Sequence, residues 1–229
     1  MNKILIRPLR FEDASVSWKW RNDPEVWEHT GSRPDIVVTE EIEKQWILDK
    51  LKERNSVRFA VEVDDVYVGN IQLTNIVEKE RAEYHVFIGD KSYWGKGVAS
   101  LATAQIIRYA KNVINLQSLY LSVRPENNSA IRVYEKSGFV KINDDVKMTL
   151  DLSKVNAPLV SVFMMAYNHE KYISEAIEGV LMQKTSFDFD IVIGEDCSTD
   201  NTRRIILDYQ QRFPDKFLPS SDCKMRTDR

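Results

Sequence analysis

Tyr93-Trp94-Gly95-Lys96-Gly97-Val98-Ala99 is the stretch on which the reading of the fold turns. It lies between a period-two segment, Arg81 to Ile88, and a helical pattern from Val98 to about Asn112. Two glycines let the backbone turn sharply with little side-chain bulk, so that successive N–H groups point into one concave space. The new helix adds its own unpaired N–H groups and the positive end of its dipole, and together these suit a pyrophosphate. A turn that only reverses the chain would need the same glycines, so the flanking sequence has to decide.

The flanks read as a mixed structure. Lys3 to Arg7 is a first strand and about Asp13 to Arg21 a helix; a loop with Pro24 and Pro34 then leads to Thr39. Thr39 is an N-cap followed by Glu40, Glu41 and Glu43, which favour the helix dipole over a segment to about Arg54. Arg58 to Val63 and Val66 to Thr74 form a hairpin around Asp64-Asp65. After the glycine turn, Ala102, Ile106, Tyr109 and Ala110 line one helix face. Leu119 to Val123 is the next strand, Asn127 to Ser137 the next helix with Gly138 behind it, and Val146 to Leu152 a closing strand. A linker over 154–158 separates this block, 1–153, from a second one, 159–229. There the pattern restarts as strand Leu159 to Met165, helix Tyr172 to Lys184, strand Asp190 to Glu195 and helix Asn201 to Phe213.

Composition excludes some partners. A net charge of −3 over 229 residues gives no electrostatic case for nucleic acid. No apolar run approaches membrane-spanning length, so membrane insertion is not expected. Cys197 and Cys223 make neither a disulfide framework nor a metal spacing and read as incidental thiols, for which a reducing cytoplasm is the expected compartment. No metal is expected.

The order of elements, with Trp94-Gly95-Lys96-Gly97-Val98-Ala99 at its centre, resembles the GNAT family of N-acetyltransferases. That family carries Gln/Arg-x-x-Gly-x-Gly/Ala at its acetyl-CoA turn, and here Trp94 stands where Gln or Arg is usual, a variant shared with ribosomal-protein alanine acetyltransferases. A second family element appears as Asn127-Asn128-Ser129-Ala130 and then Tyr134-Glu135-Lys136-Ser137-Gly138-Phe139. The resemblance implies an α/β protein of the GNAT α+β type, with a mixed central sheet and flanking helices, that uses acetyl-CoA. It implies a pantetheine path along Val86, Phe87 and Ile88, a cofactor contact at Asn127, and Tyr134 as general acid toward the sulfur. Lys91, Lys96 and Arg132 are candidates for the CoA phosphates.

The base that takes the amine proton is open between Glu83 and His85, which share a strand face; His85 has the better unperturbed pKa. Trp20-Arg21-Asn22 resembles an element of GNAT enzymes that acetylate amino groups on nucleotide-linked deoxysugars. Trp20 would stack on a base or sugar, or belong to the core; Arg21 would meet a phosphate, or end its helix as a cation.

Val160 to Asn168 resembles the opening strand of family-two GT-A glycosyltransferases, and Glu195-Asp196-Cys197-Ser198-Thr199-Asp200-Asn201-Thr202 their Asp-Asp-x-Ser-x-Asp-x-Thr element. The resemblance implies a Rossmann-like βαβα half-domain in which Ala166, Tyr167, Glu195 and Asp196 line a vestigial nucleotide site, with no glycosyl transfer expected. Its apolar edges call for another copy of the chain or a partner to cover them. The function expected is acetyl transfer to an amino sugar, probed against two alternatives: a protein N-terminal alanine acetyltransferase, and a non-catalytic CoA-binding adaptor.

Overall fold

The computed structural model describes residues 4–30, 35–142, 147–155, 160–185, 188–214 and 216–218. Contacts divide the chain into two compact units, with the boundary along the sequence between 156 and 157. Pro34, the start of the closing strand at Val146, the linker positions 156–158, Leu159, Cys223 and the tail beyond 218 lie outside the described residues.

The first unit is a seven-stranded mixed sheet. Its strands are β1 Ile4–Pro8, β2 Val57–Val63, β3 Val66–Val77, β4 Arg81–Ile88, β5 Ser118–Ser122, β6 Val140–Ile142 and β7 Lys147–Asp151, in the order β1-β2-β3-β4-β5-β7-β6. All neighbours are antiparallel except β4 and β5. Strand alternation sends Phe59, Ile71, Leu73 and Tyr84 to one face, where α4 (Val98–Asn112) and α5 (Asn128–Lys136) cover them. The opposite face carries Ala60 against Leu9, Ala14 and Ile47, under α1 (Ala14–Arg21) and α3 (Glu40–Leu51).

The edge strand β1 would expose a row of unpaired backbone groups. Gln105, buried on α4, blunts it: its Oε1 accepts from Ile6 N at 3.1 Å and its Nε2 donates to Ile4 O at 2.9 Å. Thr39 caps α3 as expected, its Oγ1 accepting from Ile42 N. Gly138, at φ 92°, ends α5 in the left-handed conformation that a Cβ disfavours.

The loop expected at Pro24 is instead a short helix, α2 (Pro24–Thr30). Proline fits the first helical position because its missing N–H would be unpaired there anyway. Asp23 caps the end, its Oδ1 accepting from Glu25 N at 3.0 Å. The closing hairpin also contains β6, three exposed residues whose Val-Lys-Ile alternation is too short to announce a strand.

A buried ion cluster joins β1 to the start of α1. Arg7 donates to both oxygens of Asp13 at 2.8 and 2.7 Å and through Nε to Glu62 at 2.6 Å, with Arg7 and Asp13 each 7% exposed. Asp13→Ala leaves a buried guanidinium half paired and is expected to lower unfolding free energy by about 3–5 kcal/mol in urea denaturation. A loss below about 1 kcal/mol would mean that the pair behaves as a surface one.

The second unit is a parallel pair, β8 (Val160–Ala166) and β9 (Phe189–Glu195), with α6 (Ile173–Leu181) and α7 (Thr202–Arg212). Ile177, Ile191, Ile193 and Ile206 fill its core. Its isolated bridge from Ile191 to Phe217 carries on the parallel pairing at the outer edge of β9.

Candidate functional site

β4 and β5 pair only from Arg81–Ser118 to Glu83–Tyr120 and then part, so the β5-facing edge of residues 84–88 has no strand beside it. Backbone N–H and C=O groups along such an edge are open to a ligand. Two clefts converge there. The first, about 570 Å³, is lined by Val86, Phe87, Ile88, the turn Tyr93–Gly95, Gly97–Ser100, and α5 residues including Asn127 and Tyr134. The second, about 380 Å³, lies on the side of α1 and α3 and is lined by Trp20, Arg21, Trp27, Trp46, Arg58 and His85 among others. Val26, Val86, Phe87 and Tyr134 line both, so the two clefts adjoin along β4 and α5.

The glycine turn has the form its sequence asks for. Gly95 and Gly97 sit at φ 72° and 79°, and a Cβ built on either meets nothing within 4 Å: the space before them is open. No side chain caps α4 at Gly97, so the first amides of Val98–Ser100 open the helix into the first cleft. Positive dipole, glycine backbone and open space together fit the pyrophosphate of CoA. Trp94 turns its indole N–H to Ile88 O at 2.7 Å, tying the turn back to the end of β4. Asn127 caps α5, its Oδ1 accepting from Ala130 N at 3.1 Å, while lining the cleft.

Of the three cations expected for CoA phosphates, Arg132 lines the first cleft. Lys96 is exposed over the Tyr93 ring, 5.5 Å from its centroid. Lys91 is engaged elsewhere: its Nζ lies 2.8 Å from Asp23 Oδ2 and 3.3 Å from Glu25 Oε1, at the start of α2. The salt partner could not be read from sequence because the helix at Pro24 was not.

Tyr134 is 8% exposed, edge-on to Tyr84 with centroids 5.9 Å apart. Burial pushes its phenol up to about 12. Across the sheet, His85 lines the second cleft and Glu83 does not. Glu83 Oε2 accepts from Asn75 Nδ2 at 2.7 Å and stands 3.7 Å from His85 Nε2, which also meets Thr74 Oγ1 at 3.0 Å. Burial lowers the His85 pKa from 6.5; the Glu83 charge opposes that and the Arg58 charge adds to it.

The Trp20-Arg21-Asn22 element divides. Trp20 is core, 8% exposed and 4.8 Å from the Tyr67 centroid, yet one side of it reaches the second cleft. Gly89 makes room for it: a Cβ there would meet Trp20 ring atoms at 2.0 Å. Arg21 lines the cleft. Asn22 is spent on the chain, donating to Trp18 O and Val38 O and accepting from Val38 N. Arg58 and Trp46, absent from the sequence reading, complete the wall. They come from β2 and α3, and no local pattern in either segment signals that they meet.

In the second unit Ala166, Tyr167, Glu195 and Asp196 lie together at the C-terminal ends of the parallel strands, where open α/β sheets bind ligands. Asp196 N donates to Ala166 O at 2.9 Å and Ser198 N to Glu195 Oε1 at 2.5 Å. Cys197 is disulfide-bonded, which corrects its reading as an incidental thiol and removes the inference from free thiols to a reducing compartment. Separation along the chain sets no lower limit on distance in a fold. Among the described residues no helix is long and apolar enough to cross a membrane, and no group of three His, Cys, Asp or Glu is placed to hold a metal.

Known proteins bear on both units. A family profile described as "Acetyltransferase (GNAT) domain" matches residues 3–140, and one described as "Glycosyl transferase family 2" matches residues 161–219. An uncharacterized N-acetyltransferase p20 of Bacillus licheniformis is 29% identical over 176 residues, 74% of this chain and 95% of that protein. The spermidine N(1)-acetyltransferase of Escherichia coli K12 is 32% identical over 140 residues, 60% of this chain and 73% of that protein. Among solved structures, the spermidine N-acetyltransferase of Vibrio cholerae in complex with CoA and spermine superposes with a TM-score of 0.58 at 23% identity, over 66% of this chain and 97% of that one. With the glycine cradle, the parted strands and the profile over more than half its length, the chain belongs to the GNAT acetyltransferase family and is an acetyl-CoA-dependent N-acetyltransferase.

Proposed function

We propose that the first unit acetylates the amino group of an amino sugar, nucleotide-linked, in the synthesis of a surface polysaccharide. The observation that carries this is the wall of the second cleft. It offers three tryptophans, Trp20, Trp27 and Trp46, with Arg21 and Arg58, and its one carboxylate among the described lining residues, Glu43, is 2% exposed. Flat aromatic faces with a few placed polar groups suit a ring-bearing acceptor. A polyamine calls for presented carboxylates, and among the described residues this cleft presents none. The resemblance of Trp20-Arg21-Asn22 to amino-sugar enzymes and the glycosyltransferase-like second unit support the same pathway.

Acetyl-CoA brings the acyl group as a thioester. The chain has to accept a proton from the amine on one side of β4 and steady charge on the other. His85 is proposed as the base: it faces the acceptor cleft, and its lowered pKa keeps it neutral near pH 7. Thr74 Oγ1, 3.0 Å from Nε2, orients the ring, and the Glu83 carboxylate, held by Asn75 and 3.7 Å away, stabilises the imidazolium once formed. The free edge of 84–88 supplies N–H groups toward the carbonyl oxygen.

Tyr134, which lines the first cleft, is assigned to the departing sulfur, and its phenol at about 12 stays protonated. Against a thiol near 8.5, complete proton transfer from such a phenol is uphill by roughly 3–4 pK units. Its environment therefore supports donation of a hydrogen bond rather than a full proton.

Lys91 acts at a distance. By holding Asp23 and Glu25 it fixes α2, whose Val26 lines both clefts. It is read as a positioning residue for the acceptor side and not as a phosphate ligand.

The substrate test is free-thiol release with acetyl-CoA against nucleotide-linked amino sugars, spermidine and N-terminal alanine peptides. Turnover with spermidine or peptides alone overturns the amino-sugar reading. Tyr134→Phe is expected to lower kcat about 10- to 100-fold with CoA affinity kept, the worth of one hydrogen bond to a charged group; an unchanged kcat removes the role.

The acid limb of kcat/KM should have its midpoint below 6.5, activity falling as protons fill the His85 lone pair. His85→Ala should erase that limb and cost about 10²–10⁴ in rate. A limb that persists in the variant assigns the base elsewhere. Lys91→Ala should raise the acceptor KM and leave acetyl-CoA binding within about two-fold; a weakening of CoA by about 10-fold or more would return Lys91 to the phosphates.

A further inference from the structure

Two guanidinium groups share one indole in the acceptor cleft. The Cζ of Arg21, at the end of α1, lies 5.0 Å from the Trp46 ring centroid, and that of Arg58, on β2, lies 5.7 Å from it. Their charges are answered differently. Arg58 is 7% exposed and committed to the protein: Nη2 donates to Glu53 Oε2 at 2.7 Å and Nη1 to Gln72 Oε1. Arg21 is half-buried, lines the cleft and makes no ion pair among the described residues. Glu43, the carboxylate in that wall, is occupied by Ser17 Oγ at 2.9 Å.

A cation partly withdrawn from water, sharing one indole with a second cation and without a counter-ion among the described residues, loses solvation that no opposite charge replaces. An arriving anion supplies that charge, and a planar guanidinium stacked on an aromatic ring leaves its edge free for a bidentate oxyanion. We propose that Arg21, backed by Trp46 and Arg58, is an anion subsite of the acceptor cleft, so that the acceptor carries a phosphate remote from its amine and polycationic amines are rejected. The inference rests on the reading of this cleft as the acceptor side.

Register sets the span. Arg58 pairs across Gln72 on β3 with His85 on β4, so the anion end and the proposed base are two strand spacings apart. Two spacings are roughly 10 Å. That is far more than separates amine from carboxylate in an α-amino acid, and it suits the opposite ends of a phosphorylated sugar. A terminal phosphate and a nucleoside diphosphate present the same chemistry to Arg21.

Binding tests the subsite without turnover. With the first cleft saturated by CoA, uridine diphosphate and a simple sugar 1-phosphate are titrated by calorimetry into wild type, Arg21→Gln and Arg21→Lys. Wild type should bind at least one of them about 10-fold or more tightly than Arg21→Gln does, with Arg21→Lys between. Binding of the diphosphate alone identifies the nucleotide as the source of the anion; binding of both identifies the phosphate. No binding to wild type, or equal binding to Arg21→Gln, overturns the subsite. In turnover, the kcat/KM ratio of a phosphorylated over a free amino sugar should shrink about 10-fold in Arg21→Gln. If free and phosphorylated sugars are acetylated equally, the subsite falls while the amino-sugar reading stands. If spermidine alone is acetylated, both fall.

Discussion

The parting of β4 from β5 after Glu83 is the constraint on which the rest of the site depends. A continuous parallel pair would satisfy the backbone of 84–88 and bring the two sheet faces no closer than the sheet's own thickness. Because the strands part, a cleft on the α4 side and a cleft on the α1–α3 side reach the same four residues, Val26, Val86, Phe87 and Tyr134. The unsatisfied strand edge would be a liability in an ordinary sheet. Here it borders a cofactor cleft, and Trp94 closes its far end through the Ile88 carbonyl.

Local devices hold that opening in place. Gln105 seals the edge at β1, and the Arg7–Asp13–Glu62 cluster fixes the entry into α1. α1 in turn delivers Trp20 against Tyr67 and Phe87, in the space left by Gly89. The wall of the second cleft is therefore built on the same core that supports β4. α2 is the exception: seven residues, fastened at Asp23 and Glu25 by Lys91 and at Glu28 O by Arg124 Nη1, 3.4 Å away. These contacts are exposed and individually weak, and Val26, 4% exposed, is what α2 buries against the rest of the unit.

Legibility in the sequence followed how local the determinant was. Gly95, Gly97 and Asn127 act through their own backbone or the next turn, and each is found in the conformation that its residue type suggests. The helix at Pro24 was hidden because proline marks loops and helix starts alike, and the capping role of Asp23 is visible only once the helix is known. Arg58 and Trp46 were invisible for another reason. Their significance lies in meeting Arg21 and His85 across separate elements, and hydrophobic periodicity carries no information about such convergence. Glu83 and His85 could not be ranked from alternation, which puts both on one face. Side-chain partners separate them, since Asn75 takes Glu83 while His85 lines the cleft. In the second unit the strand ends were legible and the pairing state of Cys197 was not.

The proposed hydrogen-bond donor and the proposed base also show why one physical effect suffices on both sides of the sheet. Burial penalises charge, so it raises a phenol and lowers an imidazole. Tyr134 and His85 are each shifted in that sense, and desolvation is the leading cause for both. Both groups are then neutral near pH 7, the phenol holding its proton and the imidazole lacking its second. Acetyl transfer moves a proton off an amine and leaves charge on a sulfur, so this pair of resting states faces the reaction in the direction it has to run. The Glu83 charge stands against the desolvation of His85, and it moderates the shift instead of reversing it. A base too strongly depressed would not hold the amine proton at all. The carboxylate 3.7 Å away thus opposes the loss of basicity that burial imposes on the imidazole, as the proposed role of a base requires.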